Sequence, residues 1–150
     1  MLRPRNKDIS NKEPYNKVVD KIYTTKQVCY LHIDALKGKK SKAYSLRMEI
    51  DRPEYFIKIP IGTEMKIKSA VSSYGAVSGT TSEYLEGTIY VKELNREVKF
   101  NYYWSDKTYL SDNNYYYIYE LAPWQNKRIP YKFDLDGVKY TLPITLQVVI

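Results

Sequence analysis

Between Leu85 and Trp104 apolar and polar residues alternate in two runs, Leu-Glu-Gly-Thr-Ile-Tyr-Val-Lys-Glu-Leu and Glu-Val-Lys-Phe-Asn-Tyr-Tyr-Trp, separated by Asn95-Arg96. A period of two is that of a strand with one buried face, so the pattern predicts a hairpin with a two-residue turn. That turn would set Leu94 against Glu97, Val91 against Phe100 and Ile89 against Tyr102, with Val98 on the same apolar face. Tyr90, Lys92, Lys99, Asn101 and Tyr103 fall on the other face, free to meet solvent or a partner. A second hairpin is predicted from Arg128 to Leu142, where Asp136-Gly137 supplies the positive φ angles of a type I′ turn. It pairs Leu135 with Val138, Phe133 with Tyr140, Tyr131 with Leu142, and Asp134 with Lys139.

The remaining segments read the same way. Tyr44, Leu46, Met48 and Ile50 alternate with polar residues, Val28–Ile33 is a run of β formers, and Tyr55–Ile59, Met65–Val71 and Tyr115–Leu121 are further strands. Val18, Val19 and Ile22 suit a short helical turn. Ser72–Glu83 is small, polar and glycine-bearing, which predicts a loop, and Ile144–Ile150 carries an apolar face that calls for a partner strand. Residues 1–14 hold two prolines and few apolar side chains, so they are expected to form a flexible basic tail whose removal leaves the melting temperature unchanged. Residues 15–150 then form a single all-β domain of eight or nine short strands, an antiparallel, partly open SH3-like barrel or sandwich.

Charge changes little in this picture. Residues 1–42 hold 11 Lys or Arg against 4 Asp or Glu, whereas residues 43–150 hold 13 of each, so the net +7 belongs to the predicted tail and the loop Lys37–Lys42. A fold that tracks phosphates concentrates its cations on the fold itself. Cys29 and His32 are the sole cysteine and histidine; they provide no zinc ligand set and read as structural. The lysine loop lacks the order of a P-loop, and Ser72, Ser73 and Ser78 lack an activating base. No catalytic, cofactor or metal motif is read, and the apolar runs are too short to span a bilayer as a helix. No leader-like apolar segment is seen at the N-terminus, as expected if a leader is missing from this chain.

Two phrases carry a resemblance. Ile59-Pro-Ile-Gly-Thr-Glu-Met-Lys-Ile67 is similar to the turn-and-strand phrase of bacterial SH3-like domains, and Ile22–Leu31 resembles their opening strand. The chain also resembles the mature portions of small bacterial envelope lipoproteins. The likeness covers about a third of the chain, the Asn-Val-Arg-like opening is replaced by Lys26-Gln27-Val28, and no functional residue carries over. It implies a bacterial, periplasmic, envelope-associated protein.

From Tyr102 to Trp124 the chain holds seven Tyr and two Trp. In a strand these rings alternate between faces, so some leave the core, and exposed tyrosine offers rigid amphipathic contact area at little entropic cost. The candidate contact residues are Tyr90, Tyr103, Tyr109, Tyr115, Tyr117 and Trp124. The reading that follows is a non-enzymatic domain that binds another protein, an immunity-type role included. An OB-like single-stranded nucleic-acid binder, with tyrosines as stacking platforms and the lysine loop as its charge, is the alternative. A glycan module is the third reading; Glu83, Glu86, Asp106 and Asp112 are available to it, though no spacing selects a pair.

Overall fold

The computed structural model describes residues 5–37, 42–74 and 81–142. Its strands are β1 Arg5–Asp8, β2 Lys21–Thr24, β3 Cys29–His32, β4 Ala43–Arg47, β5 Phe56–Ile59, β6 Glu64–Tyr74, β7 Thr81–Val91, β8 Arg96–Ser111, β9 Asn114–Tyr119, β10 Tyr131–Leu135 and β11 Val138–Leu142. Short 3-10 turns at Tyr15–Lys17, Ile33–Lys37 and Pro53–Tyr55 lie between them. The all-β expectation holds, and the single sheet is not closed into a barrel.

β8 organises this sheet. One of its edges pairs with β7 from Arg96 to Lys107; the other is shared, with β4 along Lys99–Tyr102 and β9 along Ser105–Ser111. The sheet therefore forks at β8. One branch continues through β4, β3 and β5, and the other through β9, β10 and β11. β6 does the same on a smaller scale, pairing β2 along Glu64–Ile67 and β1 along Val71–Tyr74. All pairs are antiparallel except β4 with β8, which is parallel and departs from the hairpin-only reading. A parallel neighbour needs a crossover, and here Arg47 is connected to Arg96 through β5, β6 and β7.

The central hairpin forms with a different turn. Lys92–Asn95 make a four-residue turn in which Leu94 N donates to Val91 O and Asn95 N to Lys92 O, both 3.1 Å, and Asn95 takes φ 51°. Val91 faces Arg96 rather than Phe100, and Ile89 faces Val98 rather than Tyr102. The shift is an even number of residues, so the buried face survives: Leu85, Ile89, Val91, Val98, Phe100, Tyr102 and Trp104 are all in the core. The Asp136-Gly137 hairpin takes the predicted register throughout, with φ 52° and 83° at the turn.

Three further expectations are revised. Ser72–Tyr74 and Thr81–Glu83 are strand, the end of β6 and the start of β7, and 75–80 lie outside the described residues. Residues 5–14 are built into the fold: β1 pairs with β6, Ile9 N donates to Ala70 O at 2.9 Å, and Ile9 is buried. The helical turn is a 3-10 turn at Tyr15–Lys17; Val18 and Val19 are buried after it, but Ile22 lies exposed in β2. The strand at 144–150 and residues 38–41 of the lysine loop lie outside the described residues.

The core lies on one face of the fork. Cys29, Leu31, Leu46, Ile59, Met65, Ile67 and Phe100 line it, while Ile9, Tyr15, Val18 and Val19 from the N-terminal segment and Ala122 and Trp124 from the β9–β10 connection cover it. Cys29 is fully buried, its thiol pushed up to about 12 by burial, and His32 Nδ1 accepts from Asp34 N at 3.1 Å; each has a structural place. The two phrases that carry the SH3-like resemblance meet where Thr25 Oγ1 donates to Pro60 O and accepts from Thr63 N.

Candidate functional site

The site begins with an irregularity in β8. Glu83 pairs with Ser105 but Tyr84 pairs with Tyr103, leaving Trp104 as the extra residue of a bulge. A bulge breaks the alternation, so Trp104 and Ser105 both turn inward and are buried. Trp104 packs edge-on against Tyr15 at 5.7 Å and beside Trp124 and Tyr119, and its Nε1 donates to Glu120 O. Ser105 starts a new face, on which Ser105, Lys107 and Tyr109 of β8 lie beside Tyr119, Tyr117 and Tyr115 of β9. Across β9, Lys132 of β10 opposes Tyr117 and Asp134 opposes Tyr115.

The inner end of this face is polar and closed. Tyr15 Oη lies 2.9 Å from Ser105 Oγ, which in turn donates to Glu83 Oε1 at 3.2 Å. Glu83 is only 5% exposed. Burial raises its carboxyl above the usual range, against the opposing pull of the Tyr15 and Ser105 hydroxyls and of Lys107 and Lys12. Burial likewise raises the phenols of Tyr15, Tyr119 and Tyr117, with the Glu83 charge adding to each.

The outer end is open. The Lys107 ammonium sits 4.1 Å from the centre of the Tyr115 ring, 5.1 Å from Tyr109 and 5.8 Å from Tyr117, a cation held by three ring faces. The rings brace one another, Tyr109 against Tyr115 at 5.7 Å and Tyr115 against Tyr117 at 5.8 Å. Tyr115 Oη donates to Asp134 Oδ2 at 2.9 Å, and that bond leads the upward displacement of its phenol. Tyr109 is 45% exposed and Tyr115 and Tyr117 are half-buried. Side chains fixed in this way offer contact area without further ordering cost.

Tyr109, Tyr115 and Tyr117 are thus brought together, whereas Tyr90, Tyr103 and Trp124 are not. Tyr103 lies on the opposite sheet face against Tyr84 and Asp106, at the wall of an open groove of about 860 Å³ with Arg47, Asn101 and Arg128. Tyr90 donates to Asn95 Oδ1 and borders a separate groove of about 470 Å³. Trp124 is a core residue, 5% exposed and packed on Tyr23, Tyr102 and Trp104, so it offers no surface. The carboxylates considered for glycans are dispersed as well: Glu83 points inward, Asp106 bonds Ser82 and Tyr103 on the outer face, and Asp112 sits in the β8–β9 turn.

Sequence reasoning missed Lys107, Tyr15, Ser105 and Asp134. The bulge at Trp104 hid Ser105 and Lys107, because strict alternation would put them on the Tyr103 face, while Tyr15 and Asp134 reach the site from the N-terminal turn and from β10. Comparison of the chain with protein-family models, curated proteins and solved structures gives no match.

Proposed function

We propose that this chain is a non-enzymatic bacterial binding domain that recognises another protein through the tyrosine face of β8 and β9. The observation that carries the reading is the braced set Tyr109, Tyr115 and Tyr117 around Lys107, ordered and partly open to solvent. Aromatic side chains held rigid at a surface supply the anchors on which protein interfaces depend. An envelope location extends this reading from the sequence resemblance, and an immunity-type role fits it because such a role needs only a complementary surface; both specify where a partner is to be sought.

The test is affinity capture from envelope and secreted fractions of the source bacterium, with the wild type and Tyr115→Ala/Tyr117→Ala compared. A protein retained by the wild type and lost by the variant, with both chains folded, is the expected result. Equal capture by both chains overturns the tyrosine face as the contact surface.

A further inference from the structure

We infer that the partner presents a carboxylate-rich segment to the outer end of the tyrosine face, where Lys107, Lys132 and Lys139 meet it. This inference rests on the protein-binding reading and specifies the chemistry of the partner. Lys107 and Lys132 flank Tyr117 on the two strands beside β9, and Lys139 of β11 opposes Asp134, so the three ammonium groups share one face with the rings. The ion pairs among the described residues join Lys17 to Glu13, Lys37 to Asp34, Lys66 to Glu97, and Arg128 to Glu120. None of them uses a lysine of this face. Two carboxylates stand near them: Asp134 is already engaged, Oδ2 by the Tyr115 hydroxyl and Oδ1 by Gly137 N, and Glu83, which feels the Lys107 charge, is buried and accepts from Ser105 Oγ.

A cation resting on ring faces keeps its charge and its donors for an anion, because the ring quadrupole neutralises neither. The neutral balance of residues 43–150 makes this clustering a local feature rather than a consequence of general basicity. The same geometry disfavours stacked bases. Lys107 covers the Tyr115 ring, and the neighbouring rings stand at 59° and 87° to it, so the set offers no run of parallel planes. Lys139 is exposed and Lys132 partly so, and neither is covered by the rings around Lys107, so carboxylates of an extended peptide meet them without displacing a ring.

The test titrates the full chain with poly-L-glutamate and, separately, with oligo-deoxythymidine of matched charge, at low and at physiological salt. The variants are Lys107→Gln/Lys132→Gln, the single Lys132→Glu, and Lys39→Gln/Lys40→Gln as a control for the other lysine cluster. Expected are tighter binding of polyglutamate than of the oligonucleotide and a loss of at least about ten-fold in the face variants, with a much smaller loss in the control. Lys132→Glu reverses a charge outside the ring cage and keeps the test valid should the double variant unfold. Unchanged polyglutamate binding by the face variants, a loss confined to the control, or stronger binding of the oligonucleotide overturns the inference. In the capture experiment, a partner lost by the tyrosine variant but kept by Lys107→Gln/Lys132→Gln overturns the acidic-partner inference alone; a partner kept by the tyrosine variant overturns the binding reading itself.

Discussion

Gly87 sits where the β6 backbone approaches β7 closely. A Cβ built on it would lie 1.8 Å from the carbonyl oxygen of Lys66, a backbone atom that cannot rotate away. The bulge at Lys68 lies next along β6, where Ile67 pairs with Gly87 but Ser69 pairs with Glu86. Gly87→Ala is expected to destabilise by about 3 kcal/mol, a severe overpacking cost, measurable by urea unfolding; an unchanged midpoint would show that β6 and β7 can separate freely. Glu83 gives a second test. Its folded-state carboxyl is raised above the ordinary 4.5, so between that value and its folded pKa the native state holds more protons than the unfolded one. Stability contributed by this group is therefore greatest at low pH and falls as pH rises through the window, then stays level. Glu83→Gln should remove that decline, so the difference in melting temperature between variant and wild type grows in the variant's favour from pH 4.5 upward. A constant difference across this range would contradict the burial of an ionisable Glu83.

At the scale of elements, the N-terminal segment decides whether this side of the sheet is covered. The segment from β1 to the Tyr15–Lys17 turn lies over the core, with Ile9 3% exposed and Ser10 exchanging hydrogen bonds with Ala70. Deletion of residues 1–14 should lower the melting temperature, and Ile9→Ala alone should cost about 2–4 kcal/mol in denaturant unfolding. Neither effect would be seen if these residues formed a tail throughout. The sparse apolar content of residues 5–14 hid this role, because one buried isoleucine and backbone pairing to an edge leave almost no periodic signal. The β10–β11 hairpin shows the opposite case. Its Asp-Gly turn and strict alternation fixed every pair locally, so its register was legible in full.

Across the whole molecule the largest set of touching rings among the described residues is a buried cluster with an open rim. Tyr15, Tyr119, Trp104 and Trp124 pack together beneath the fork in the sheet, and Tyr117 links them to the rings around Lys107. Tyr15, Tyr102, Tyr117 and Tyr119 all have phenols raised above the ordinary 10.0, chiefly by burial. In the unfolded chain these groups lose their protons first, so stability falls as pH rises above 10. Absorbance at 295 nm should show them ionising together with cooperative alkaline unfolding, after the exposed tyrosines. Independent titration of all the tyrosines near pH 10, with the fold retained, would contradict the buried cluster.

Legible in the chain alone were the class of fold, the existence of the central hairpin, the register of the Asp136-Gly137 hairpin, the core face of β7 and of β8 up to Trp104, and the concentration of tyrosine after residue 102. Each of these rests on a local period or a turn residue, which the chain carries within a few positions. Three of the six candidate contact residues share a site because β8 and β9 pair, and tertiary structure alone decided that. The Trp104 bulge turned Lys107 onto the tyrosine face, the parallel pairing of β4 forked the sheet, and the covering segments drew Trp124 inside. A bulge adds one residue without altering composition, and strand order depends on contacts far apart in sequence; neither leaves a periodic mark on the chain.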